Sequence, residues 1–158
     1  MKMSAREDIQ TPISAVFARL TDFAAHEAVA ARRGVAVERL SRPQARTDWP
    51  AWKVVFQYGG REREVTAEVL DLHVPNIFAS EVHYRGMDVS FDIELMPLSV
   101  SWTRMFFVLE LKPRSIKGKL VVQSLKVAKG SIQRRIENRL KSFARELEQQ
   151  SRDSTASE

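Results

Sequence analysis

Ile13, Val16, Phe17 and Leu20 recur three and four residues apart, and beyond Val35 the spacing of apolar positions drops to two. This change divides the chain into a short helical stretch, a long run of strands and a closing helix. Thr11 followed by Pro12 predicts an N-cap with proline at the first helical position. Asp22 predicts the cap of a second short helix that ends near Gly34. A short extended piece precedes both helices.

From Val35 to Lys112 the pattern is that of strands. Val35, Val37 and Arg39 alternate weakly, and "SRPQARTDWP" reads as a polar connection. Gly59-Gly60 is a two-residue hairpin signal. It pairs Tyr58 with Arg61, Phe56 with Arg63, Val54 with Val65 and Trp52 with Ala67. The other face carries Lys53, Val55 and Gln57 against Thr66, Glu64 and Glu62, so one face is dry and one mainly wet. A turn at Pro75-Asn76 sets Val69 opposite Val82, Ala67 opposite Tyr84 and Glu68 opposite His83. A turn at Gly86-Met87 sets Tyr84 opposite Val89, Val82 opposite Phe91, Ser80 opposite Ile93 and Phe78 opposite Leu95. The same face stays apolar through all three hairpins. A one-residue slip would invert a strand, so this agreement predicts an antiparallel meander.

In the last strand Thr103, Met105, Phe107, Leu109 and Leu111 form the more apolar parity and are expected inside, which turns Trp102, Arg104, Phe106 and Val108 outward. The opposite parity, burying Trp102 and Phe106, is the alternative. After Pro113 a polar stretch leads to a long helix ending near Gln149. Its stripe is Leu125, Ala128, Ile132, Ile136, Leu140, Phe143 and Leu147. The closing "SRDSTASE" is expected to fray. The pattern therefore predicts an α+β chain with one domain over residues 1–150 and a disordered tail over 151–158.

An apolar sheet face and an apolar helix stripe should pack together. A curved sheet wider than one helix leaves space beside it, for side chains or for a ligand. The hairpin count points Asp71, His73 and Ser80 inward at one end and Arg61 and Arg63 at the other. An apolar hollow with a few polar groups suits a small molecule. The residues expected to touch it are Trp52, Tyr58, Tyr84, Phe91 and Phe107, with Asp71, His73 and Ser80 as orienting groups.

Here the chain resembles the START-like or SRPBCC superfamily, the helix-grip group that includes polyketide cyclase/dehydrase-like and coenzyme Q-binding relatives. The resemblance rests on "IQTPISAVFARLTDFAAHEAV", on the meander, and on "SWTRMFFVLELKP" followed by the amphipathic helix. It implies a curved antiparallel sheet wrapped around a long C-terminal helix, with two short helices after the first strand and a hydrophobic cavity between sheet and C-terminal helix. It also implies a lipid, quinone or polyketide-like ligand, or a cyclase or dehydratase acting in the same cavity. The family has no universal catalytic motif, so the resemblance implies no catalytic residue and no cofactor. The tryptophan-containing segment usual after the family's aspartate is absent: "FAAHEAVAARR" follows Asp22.

Other chemistry is bounded by composition. With no cysteine among 158 residues, disulfides, thiolate nucleophiles and cysteine-held metals are excluded. Three scattered histidines form no metal signature. Asp71 and His73 are weighed as an acid–base pair against a hydrogen-bonded rim at the sheet end. His83 beside Glu68 is weighed as a cation site against a solvated patch, and the patch is preferred. His26 is read as lining an entrance or as a plain surface residue. The net charge of +5 comes largely from Lys126–Arg145, where seven basic residues meet one acid, Glu137. That face is compatible with weak contact to an anionic membrane. Nucleic acid is not expected, since no stacking platform or docking element accompanies the charge. Outward Trp102, Phe106 and Val108 suggest a homodimer or partner through the outer sheet face. "MKMSAREDIQ" has no apolar run after its lysine, so it does not read as a signal peptide, and a cytoplasmic location is the default expectation.

Overall fold

The computed structural model of the chain describes residues 1–41 and 48–157. Most of the polar connection expected after Arg39, residues 42–47, lies outside the described residues. Strand β1 (Lys2–Ile9) leads into helices α1 (Ile13–Leu20) and α2 (Phe23–Arg32). Six strands follow: β2 (Ala36–Arg39), β3 (Ala51–Tyr58), β4 (Arg61–His73), β5 (Ile77–Tyr84), β6 (Met87–Pro97) and β7 (Thr103–Pro113). Helices α3 (Ile116–Val127) and α4 (Lys129–Ala156) close the chain. The strands form one antiparallel sheet in the order β1-β7-β6-β5-β4-β3-β2, a meander whose first strand returns to the edge beside the last.

The helix signals act locally, with one exception. The Asp22 carboxylate caps α2 by accepting the Ala25 amide at 3.1 Å. Thr11 does not cap α1. Pro12 stands at the N-cap position with no side-chain bond, and the buried Thr11 instead faces Ser151 and accepts the Thr103 hydroxyl through its carbonyl. Anchoring the β1–α1 corner to β7 and α4 takes precedence there over capping.

The Gly59-Gly60 hairpin has the register expected, from Tyr58–Arg61 to Trp52–Ala67. Both glycines have φ above +60°, which the turn requires. The next two hairpins differ. The β5–β6 turn is Arg85-Gly86, with φ of 38° and 76°, so Tyr84 meets Met87, Val82 meets Val89 and Ser80 meets Phe91. The register moves by two residues and the faces are kept. The β4–β5 connection is Val74–Asn76, and Ala67 pairs with Val82 rather than Tyr84. A β-bulge between Val69 and Asp71 then shifts the register, so Leu72 pairs with Phe78 and His73 with Ile77. One extra residue in β4 inverts the strand beyond it.

The parity of β7 is as expected: Thr103, Met105 and Leu111 are buried, with Phe107 and Leu109 packed behind them. The closing helix is broken at Ala128 into α3 and α4, and residues 151–156 continue α4 where a frayed tail was expected. Beneath α4, Leu140, Ala144 and Leu147 meet Ile9, Val16, Phe17, Leu95 and Met105 in one filled core. Helix α3 covers a smaller cluster of Met87, Leu111 and Val122. Its Gly118 sits against the β5–β6 turn, where a Cβ would lie 2.5 Å from the Gly86 carbonyl oxygen. The two helices thus cover the β1-β7-β6 side of the concave face. The β5-β4-β3-β2 side is left to α2.

Candidate functional site

Helix α2 has Phe23, Glu27 and Ala30 on one face, four and then three residues apart, and buries none of its residues completely. It roofs a groove of about 360 Å³ over β2–β5. Val37, Trp52, Val54, Ala67, Val69 and Val82 form the floor, and Leu20 and Phe78 close one side. The Phe23 ring lies 5.3 Å from Trp52 and 6.2 Å from Phe78, centroid to centroid, so three aromatic rings join roof to floor.

Glu27 ties the roof down. The indole N–H of Trp52 donates to its carboxylate at 2.9 Å, and Arg39 of β2 donates to the same oxygen, with Nε at 3.1 Å. The Arg39 guanidinium also lies over the Trp52 ring, 5.8 Å from its centroid. The Trp52 and Arg39 hydrogen bonds hold the Glu27 carboxyl below the ordinary carboxylate range. The one acid of the roof is therefore ionised and neutralised in place. The lining also includes Ser80, His26, whose Nε2 bonds the Leu20 carbonyl at 2.9 Å, and Glu68 and Glu81, whose carboxylates pair with His83 and Lys112.

The expected site residues separate into three places. Trp52 and Ser80 line the groove under α2. Tyr58 and Tyr84 line a second, shallower apolar hollow of about 320 Å³ farther along β3–β5, with Phe56, Arg63 and Val65. There the Tyr84 hydroxyl accepts from Arg63 Nη1 at 2.9 Å. Phe91 and Phe107 pack on each other at 6.2 Å and line neither hollow. Asp71 and His73 do not point inward. The bulge places Leu72 against the core and turns its two neighbours to the outer face, where they pair at 2.9 Å with side chains about half to two-thirds exposed. The space expected between the sheet and the C-terminal helix is the filled core. The open groove lies beside it, under α2. Phe23, Glu27 and Ala30 were not anticipated in the sequence. Their spacing marks one face of α2, but not that this face overhangs the sheet.

The outer face holds a second polar cluster. His83 is bracketed by carboxylates, with Nε2 2.8 Å from Glu68 and Nδ1 2.7 Å from Asp88. Glu68 and Glu81 are opposite each other in register and both are buried, which corrects the expected solvated patch. Lys112 reaches Glu81 and Arg114 reaches Asp88, so the cluster is an ion-pair network. Burial pushes the Asp88 carboxyl up, but hydrogen bonds from His83 and Arg114 outweigh it and hold the group below its ordinary value. Ligand atoms of Glu68, Glu81 and His83 lie within 4.8 Å of one another. Elsewhere on that face Phe106 stands between Arg6 and Glu94, and Val108 between Ser4 and Asp92, so charged and polar neighbours interrupt the expected apolar patch. No helix among the described residues is long and apolar enough to cross a membrane.

No family model matches the chain, and no curated protein matches it. Solved structures do. The ZhuI aromatase/cyclase from Streptomyces sp. R1128 superposes with a TM-score of 0.65 at 13% identity, over 96% of this chain and 95% of that one. A norcoclaurine synthase point mutant from Thalictrum flavum, in complex with a transition state analogue, gives 0.67 at 7% identity, over 96% of each chain. A protein from Thermus thermophilus gives 0.63 at 16% identity, over 93% of this chain and 97% of that one. With the seven-stranded sheet, the two short helices after β1 and the long closing helix, these likenesses establish that the chain has the START-like, SRPBCC-type helix-grip fold.

Proposed function

We propose that the protein binds a small, largely uncharged apolar molecule in the groove between α2 and the β2–β5 part of the sheet. The observation that carries this reading is a floor of aliphatic and aromatic side chains left open by α4 and roofed by a helix pinned through Glu27. An ordinary core would have filled this space, as it does under α4. The likeness in fold to an aromatase/cyclase and to a norcoclaurine synthase solved with a transition state analogue supports a small-molecule role. A cyclase or dehydratase using Asp71 and His73 lacks geometric support, since both lie on the outer face.

A ligand burying about 250 Å² of apolar surface gains about 6 kcal/mol at roughly 25 cal/mol per Å², before the entropic cost of association is subtracted. Titration with the neutral fluorophore N-phenyl-1-naphthylamine tests this. Saturable enhancement is expected for the native chain, and its loss in Ala67→Trp, which fills the floor, with the circular dichroism spectrum unchanged. Equal binding by the two proteins would refute the site.

A further inference from the structure

A second cleft, of about 380 Å³, lies between the helices, bounded by α1, α2 and α4. Its lining includes four arginines, the half-buried Arg19 and the exposed Arg32, Arg33 and Arg139, and one acid, Glu146. Four positive charges against one negative leave an excess of three. Arg39, Arg104 and Arg114 each pair with a carboxylate, whereas, among the described residues, Arg6, Arg61, Arg85, Arg134 and Arg135 stand on the surface without one. Among the described residues, the four arginines of the cleft have no such partner. Arg19 is the most telling. Its Nη1 is shielded from solvent and has no hydrogen-bond partner.

A buried guanidinium nitrogen without an acceptor is rare, because its desolvation is not repaid by a hydrogen bond. Convergence of like charges around one concavity adds repulsion. Both costs disappear if an oxyanion occupies the cleft. The carbonyls at the C-terminal end of α2 favour cations at Arg32 and Arg33, so the helix holds two of the charges in place. A carboxylate would meet one guanidinium through two oxygens. A phosphate group presents three terminal oxygens and up to two negative charges, which better matches several separate guanidinium groups and the excess of three.

We infer that this cleft binds a phosphate-type oxyanion, held by the Arg19 side chain from α1 and by Arg139 from α4. The site is separate from the apolar groove, although His26 borders both. Two sources share this chemistry: a soluble phosphate ester and a phospholipid headgroup.

Calorimetric titration of the full chain with inorganic phosphate, against chloride at matched ionic strength, tests the site. One-to-one saturable binding is expected with phosphate and not with chloride. Arg19→Met and Arg139→Met should each weaken it about tenfold or more. Lys119→Met, on α3 away from the cleft, should not change it. Arg139 is exposed on α4, so its variant keeps the test decisive should Arg19→Met fail to fold. Ala67→Trp should leave phosphate binding intact, which separates this site from the apolar groove. Vesicles of phosphatidylcholine with phosphatidic acid distinguish the sources. Phosphate-competed sedimentation assigns a headgroup, and its absence alongside phosphate binding assigns a soluble ester. Heats indistinguishable from chloride, or phosphate affinity unchanged in both arginine variants, would overturn the proposal.

Discussion

Replacing Phe23 by alanine removes the ring that joins the α2 roof to the floor. Truncating a fully buried Phe costs about 3–5 kcal/mol. Phe23 is partly exposed, so about half of that applies, and its contacts at 5.3 Å to Trp52 and 6.2 Å to Phe78 are part of what is lost. The expected destabilisation is about 2 kcal/mol. With a urea m-value of about 2 kcal/mol/M, the midpoint should fall by about 1 M. The same ring forms part of the wall facing a ligand. Losing about 50 Å² of ligand contact costs about 1.3 kcal/mol, a factor of about ten in affinity for N-phenyl-1-naphthylamine. The assay is urea unfolding by circular dichroism together with the probe titration. A midpoint within about 0.2 M of the native value, or unchanged probe affinity, would refute a packed roof over a binding groove.

Three further outcomes follow from particular contacts. Glu27→Gln should cost about 1 kcal/mol at pH 7, since a partly exposed pair contributes modestly. Because the carboxyl is depressed below its ordinary value of 4.5, its contribution is complete above that value and is lost as pH falls through the folded-state value. The difference between native chain and variant in urea midpoint should therefore shrink below pH 4.5, and a difference that grows with acid contradicts the assignment. With no native cysteine, Asp71→Cys and His73→Cys should react readily with a thiol reagent while Leu72→Cys is protected, and the reverse order would remove the bulge. Gly118→Ala, a change that ordinarily stabilises a helix by about 1 kcal/mol, should instead lower the melting temperature, because the new Cβ would lie 2.5 Å from the Gly86 carbonyl oxygen.

The sheet was largely legible because alternation fixes faces even where turns are misplaced. Gly59-Gly60 announced its hairpin, since two positive φ values are cheap for glycine. Arg85-Gly86 did not, because an arginine with φ of 38° is not a usual turn residue. The resulting two-residue shift left Val82, Tyr84 and Phe78 on the expected side. The bulge was different. Its trace was present in "EVLDLH", where the apolar positions change from Val65, Ala67 and Val69 to Leu70 and Leu72, and that switch decides where Asp71 and His73 point. The stripe on the closing helix included Leu140 and Leu147, which are buried, but missed Val122 and Ala144 and took in Ala128, which is exposed where the helix breaks. It could not show that this helix lies against β1 and β7, because helix placement across a sheet depends on connections with no local signature. The groove under α2 and the arginine cleft depend on that placement, so Phe23, Glu27 and Arg19 gained meaning only in three dimensions.

The central claim is that the open apolar groove lies under α2 and that the space under α4 is filled. Methyl-resolved NMR of the native chain titrated with N-phenyl-1-naphthylamine tests it most directly. Saturable shifts should concentrate on Val37, Val54, Ala67 and Val82 while Leu140, Leu147 and Val122 stay still. Shifts centred on Leu140 and Leu147, or none at saturating probe, would contradict it.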